Sequence, residues 1–325
     1  MRVAVAVAAI VAAVLGLAYG RPAQHTQPLP KWTTDAHDRP QRGGRPPQFV
    51  VVSFDGAGGA RMWTYWRAVA RRAHAHFTFF VSGVYLVDWA HRDRYRPPRR
   101  DAGQSGIGFA QEDGDLTVAR TAAQVALGYR EGHEIGTHYN GHFCGPGGVA
   151  DWTAADWSAE LDQFGALLSA QRLPFDRAEV IGGRTPCLEG RLHALYPVLA
   201  RRGFRYDASR TAPLGEWPRR IGGIWSVPLL ELPLRGHTYR VLSMDYNFYA
   251  NGLGEQETYD ALWNAFRTSY RGNRAPFSVA NHFETWNRWA YDHALTRLVE
   301  RACRLPDVRC TTIRDLVDWL DLYRR

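Results

Sequence analysis

The chain has 325 residues, 45% of them hydrophobic and 22% charged, and a formal net charge of +8. Lys31 is the only lysine, so the positive charge is arginine spread along the chain, not the clustered tract that would argue for nucleic acid. Past residue 20 no segment is long and apolar enough to cross a bilayer, and the stretch 48–325 suits one large α/β domain better than two ordinary ones.

The N-terminus decides the compartment. Arg2 supplies a short positive start, Val3 to Leu17 is uncharged and apolar, and Ala18-Tyr19-Gly20 offers small residues where a signal peptidase cleaves. This is the layout of a secretory signal over 1–20. An uncleaved anchor is the alternative, and either one puts the rest of the chain outside the cytoplasm, secreted or in the cell envelope. There a basic surface would be drawn to anionic wall polymers or lipid headgroups. Residues 21–47 are rich in Pro and Arg without periodicity and read as a flexible tether. The four cysteines fit an oxidising compartment. Of the three pairings available, Cys303 with Cys310 is natural because the two flank a short loop containing Pro306, which leaves Cys144 with Cys187.

In chain order, Gln48 to Phe54 is a continuous apolar run ending at Asp55 and a glycine-rich turn, a strand buried on both faces. A helix is expected from about Arg61 to Arg72, then a second buried strand, Phe77 to Val81. The loop from about His91 to Asp115 is long and polar and reads as a functional rim. Helix Thr117–Arg130 leads into Glu134 to His138, and Ala154–Ala170 is amphipathic, with Trp157, Leu161, Phe164 and Leu168 at helical spacing. Short strands are expected at Glu179–Ile181, Trp225–Leu232, Tyr239–Asp245, Phe277–Asn281 and Cys310–Ile313, with helices at Gln256–Tyr270 and Arg314–Tyr323. This alternation predicts an α/β fold close to a closed barrel, with its chemistry at the C-terminal ends of the strands.

The polar residues fall at those ends. Asp55 closes the first strand, beside Gly56, Gly58 and Gly59; alone, such an Asp is more often a turn residue or cap. His138 and His142 stand four residues apart, so that on a helical turn both project from one face and can share a metal ion such as zinc, although Gly132, Gly136 and Gly141 favour a tight loop. His133 reads as structural. Arg184-Thr185-Pro186 follows two glycines; proline keeps Thr185 extended, and the guanidinium suits two-pronged pairing with a carboxylate or a plain surface ion pair. His282 ends the apolar run from Pro276, where hydrogen-bonded structure and catalysis both remain open.

The order of these elements, strand-Asp, His-x-x-x-His, Arg-x-Pro and a late strand-end His, resembles the polysaccharide-deacetylase family, the NodB-homology or carbohydrate esterase family 4 domain. Phe77 to Gly83, Gly132 to His138 and Gly203 to Asp207 are similar to flanking segments of that family, and the resemblance runs over about 48–320. It implies an irregular (β/α) barrel that removes acetyl groups from an N-acetylated envelope or chitin-like glycan. Asp55 would be the general base, oriented by Arg184; His282 would be the general acid; His138 and His142 would hold a divalent metal, zinc being the expected ion. The chain departs from the pattern at Gly56, where the family has the aspartate that is its third metal ligand, with Glu112 and Asp113 of the rim as unsupported substitutes. Tyr139 replaces a small hydroxyl residue and Cys187 an aromatic. The family's geometry would set Cys144 and Cys187 beside the pocket, where a disulfide could pin the histidine loop to the arginine loop. Residues Ser243 to Tyr249 with Trp225, Trp286 and Trp289 are candidates for an aromatic wall or for core. Metal-independent hydrolysis of another amide or imide by Asp55, Arg184 and His282, and a silent glycan-binding wall protein, are the competing functions.

Overall fold

The computed structural model describes residues 44–234 and 236–324; the expected signal and the tether up to residue 43 lie outside the described residues. In chain order the elements are β1 (Gln48–Asp55), α1 (Ala60–Ala73), β2 (Thr78–Val81), α2 (Val118–Arg130), β3 (Glu134–Thr137), α3 (Ala154–Ser169), β4 (Gly182–Gly183) and α4 (Leu192–Arg201). There follow β5 (Tyr206–Asp207), β6 (Thr211–Pro213), β7 (Arg219–Ile221), β8 (Ile224–Ser226), β9 (Leu229–Pro233), β10 (Arg240–Leu242), α5 (Asp245–Ala250), α6 (Glu255–Arg271), β11 (Phe277–His282), α7 (Trp286–Ala302), β12 (Val308–Cys310) and α8 (Ile313–Tyr323).

The main sheet runs β11-β1-β2-β3-β4-β5-β8-β7, parallel except for β7, with β12 beside the start of β1. A second sheet, β10-β9-β6, is tied to β11 by the bridge Met244–Ala280, which brings the curled sheet most of the way round an irregular (β/α) barrel. The expected strand 225–232 is two strands, because Pro228 has no N–H to donate and the chain changes sheets there. The expected strand at 179–181 is a 3-10 turn at Arg177–Glu179, and pairing falls on Gly182–Gly183. The segment 239–245 leaves its strand at Leu242, so that Asp245 opens α5.

Period-2 alternation along β1 decides what the site receives. Val50, Val52 and Phe54 face α1, α6 and α7; Phe54 lies 4.6 Å from Trp66, ring centre to ring centre. Phe49 and Val51 face the interior, where they pack with Trp319 and Leu316 of α8. Ser53 and Asp55 continue that inner row. Helix α8 starts against the N-terminal ends of β2 and β3: the Ile313 N–H donates to Thr78 Oγ1 and the Arg314 N–H to Glu134 Oε2. The interior is therefore plugged with apolar side chains at one end and polar at the other.

Candidate active site

The polar end gathers all five candidate residues. Asp55 and His282 are the last residues of adjacent parallel strands and are partners in register. Arg184, only 1% exposed, follows β4 and reaches inward: Nη1 donates to Asp55 Oδ1 (2.8 Å) and Ser53 Oγ (2.9 Å), Nε to the Ala208 carbonyl (2.9 Å). Burial alone would raise the Asp55 pKa, but the Arg184 charge, with the nearby imidazoles and the hydrogen bond from Arg184, outweighs it and holds the carboxyl below its ordinary range. Thr185 is extended before Pro186, as the proline dictates.

His138 is buried after β3, and its Nδ1 donates to the Arg184 carbonyl at 2.8 Å. That bond fixes the tautomer and leaves Nε2 as the nitrogen with a free lone pair. Burial drives the His138 pKa down to about 3 and lowers that of His142 as well, so both rings are neutral at pH 7. Their centroids are 5.0 Å apart. The loop that brings them together is not a helical turn. Tyr139 and His142 both have left-handed backbone, at φ 59° and 53°, and three contacts hold that shape. The Tyr139 ring is buried against Trp157; Glu160, wholly buried on α3, accepts the Asn140 N–H and the Tyr95 hydroxyl; and that hydroxyl accepts the Gly141 N–H. Tyr139 is thus a packing anchor in place of the expected small residue.

His282 has a partner that the sequence reading missed. Asp245, 1% exposed at the head of α5, accepts from His282 Nδ1 (2.7 Å) and from the His282 N–H (2.7 Å). Burial lowers the imidazole pKa, but the charge and hydrogen bond of Asp245, with Asp55 behind, raise it to about 9. Asp245 went unseen because its segment read as a strand. Glu160 did leave a signal, a carboxylate within the apolar stripe of a helix.

The cleft over these residues has a volume of about 410 Å³ and is lined by Asp55, His138, His142 and His282 with Tyr85 and Trp286. The rim loop does contribute: Ile107 and Asp115 line the cleft, and the Gly106 N–H donates to the Gly141 carbonyl, with an added Cβ only 2.4 Å from the His142 oxygen. Glu112 and Asp113 are exposed and off the lining. Of the expected aromatic wall, Trp286 stands 5.4 Å from His282 and stacks on Tyr249, with Tyr246 at 5.7 Å. Trp225 instead donates its indole N–H to Asp321 of α8, and Trp289 packs on Tyr65; neither lines the cleft.

Both disulfides form as paired from the sequence, Cys303–Cys310 and Cys144–Cys187. The second ties the histidine loop to the turn after Arg184. By loop-closure entropy, with separations of 43 and 7 residues, the Cys144→Ser/Cys187→Ser variant is expected to lose about 4 kcal/mol and Cys303→Ser/Cys310→Ser about 2.5 kcal/mol. Urea unfolding of the two variants checks the order.

A divalent ion would find the lone pairs of two neutral imidazoles here, in a cleft whose carboxylates are Asp55, Asp115 and Glu284. Among the described residues the one set of three donors within 4.8 Å of each other is His142, Cys144 and Cys187, whose sulfurs are already bonded together; no carboxylate joins His138 and His142 in a set that tight. The residues fit a two-imidazole site with open positions.

No family model matches the sequence, and no curated protein does. Among solved structures, the chain is similar to a protein assigned as a polysaccharide deacetylase from Mycobacterium smegmatis. The TM-score is 0.58 at 15% identity, over 85% of this chain and 91% of that one. A carbohydrate esterase family 4 esterase from Streptococcus mutans gives a TM-score of 0.52 at 14% identity, over 82% and 87%. What this likeness shows is the fold, which the chain shares with these two proteins.

Proposed function

We propose that the chain is an exported hydrolase that removes N-acetyl groups from an envelope or chitin-like glycan. One observation carries the reading: two titratable groups in register at the strand mouths, Asp55 and His282, are pushed apart by their own buried partners, so that at neutral pH one is a base and the other an acid. Asp55 takes a proton from water as that water's oxygen adds to the acetyl carbon. His282 gives its proton to the departing nitrogen as the C–N bond breaks, releasing acetate and a free amino sugar. Arg184 keeps Asp55 charged and aimed, and Asp245 keeps His282 protonated. Nε2 of His138 and a nitrogen of His142 would hold the divalent ion, zinc by donor type, which polarises a carbonyl and acidifies water when bound. Trp286 and Tyr249 offer apolar faces on which a sugar ring can lie.

The test is acetate release from N-acetylglucosamine oligomers and peptidoglycan with added zinc or cobalt. No release, together with a His138→Ala variant indistinguishable from the parent, ends the proposal. A second reading, metal-independent hydrolysis of another amide or imide, is favoured by Gly56 alone, and stoichiometric zinc after purification without added metal counts against it.

Gly56 yields a sharper prediction. Its φ is 64°, a left-handed value that Asp tolerates better than most L-residues, and a Cβ there meets nothing nearer than 3.7 Å. Gly56→Asp is expected to cost about 1 kcal/mol of stability and to tighten zinc binding at least about tenfold. Calorimetric titration and thermal melts read the two opposite signs.

A further inference from the structure

Cys144 and Cys187 have no part in the acid–base chemistry, yet they sit at its edge. Cys144 follows the loop that carries His142, Cys187 follows Arg184, and both are exposed, so a small reductant can reach them. Cys144 Sγ lies 3.6 Å from His142 Nδ1, and one ring nitrogen of His142 with the two sulfurs fall within 4.8 Å of one another. Cys187 and Leu188 both have left-handed backbone, φ 54° and 58°, a shape non-glycine residues keep only where the surroundings impose it. The covalent link to Cys144 is one such constraint. While the disulfide is intact, neither sulfur is a thiolate, and the trio cannot bind a cation.

We propose that reduction of this disulfide by a dithiol opens a second metal site at the mouth of the cleft, in which Cys144, Cys187 and His142 hold a zinc ion. The step balances. A reductant thiolate attacks one sulfur and the S–S bond breaks to a mixed disulfide. The second reductant thiol displaces the protein sulfur, leaving two cysteine thiols and the oxidised dithiol. Zinc then binds both sulfurs as thiolates, and two protons pass to solvent. Two thiolates and an imidazole with a fourth position open form a regular zinc donor set, softer and more complete than the imidazole pair His138–His142. Among the described residues no carboxylate joins that pair in a donor set as tight as the trio, whose ligand atoms lie within 4.8 Å of one another. His142 belongs to both sets, and reduction draws the ion outward, away from His138.

The readout is metal binding without substrate, independent of the hydrolase reading. Full-length protein, oxidised or reduced with excess dithiol and desalted under argon, is titrated with cobalt(II). The reduced protein is expected to take up one equivalent with thiolate-to-cobalt charge-transfer absorption in the near ultraviolet, and the oxidised protein to show no such band. Cys144→Ser/Cys187→Ser, which retains the other cysteine pair, is expected to lack the band after reduction, and His142→Ala to keep it with affinity reduced at least about tenfold. A reduced protein without the band, folded or not, overturns the proposal, and so does a band that persists in the double serine variant. An unchanged cobalt affinity in His142→Ala removes the imidazole from the site and overturns it as stated.

Discussion

Asp55→Asn is expected to lower acetate release about 10²- to 10⁴-fold, the range for loss of a general base, with little change in the cleft's shape. The amide is isosteric and can still accept from Arg184, but it cannot take a proton from water. The cost in stability falls on the partner. Arg184 is 1% exposed and Asp55 3% exposed, so removing either charge leaves the other buried and unpaired, a loss of about 3–5 kcal/mol. Arg184→Met isolates the carboxylate instead. Without the guanidinium, burial dominates and the Asp55 pKa rises above its ordinary value rather than lying below it. The sign follows from linkage. In the parent, the pair's contribution is present above the ordinary aspartate range and lost as pH falls through the depressed value; in Arg184→Met, protonation of Asp55 sets in at higher pH. Acid unfolding curves distinguish the variants, and undiminished turnover by Asp55→Asn would place the base elsewhere.

Asp245→Asn is expected to move the alkaline limb of the kcat/KM profile. In the parent, His282 stays protonated up to about pH 9, so activity that needs its proton falls above that value. Without the Asp245 carboxylate, the principal force holding the imidazole charged is gone and desolvation favours the neutral ring, at or below its ordinary value of 6.5. At pH 8 the protonated fraction falls roughly 30-fold, and activity with it, while near pH 5.5 most activity returns. The stability contribution of the His282–Asp245 pair has the same direction: it is full below the unfolded pKa and lost as pH rises through about 9. An alkaline limb unmoved by Asp245→Asn would mean that another group donates the proton.

Much of this was legible because strands buried on both faces announce themselves as unbroken apolar runs. Those at Gln48–Asp55 and Phe277–His282 fixed two candidate residues at strand mouths, and the pairing register then set them side by side. The ordered motifs supplied the remaining three. Hidden were features defined only by folding. Asp245 carries no local signature; it matters because the bridge Met244–Ala280 lays its backbone beside β11. The two-residue strands β4 and β5 are too short for any period to register. For the histidine segment the glycines favoured a tight loop over a helix, but its left-handed backbone is set by tertiary contacts from Glu160, Tyr95 and Trp157, which no local pattern shows.

The plug formed by α8 makes the barrel a blind well. Phe49, Leu316 and Trp319 stop it from below, so on the proposed reading substrate would enter, and acetate would leave, through one opening. A polymer could not thread through such a vessel; a glycan substrate would be presented side-on, one acetamido arm dipping in while the backbone rests across the rim. On the proposed deacetylase reading, acetate would have to leave past the chain that delivered it, so that chain would lift or slide before the next arm could enter.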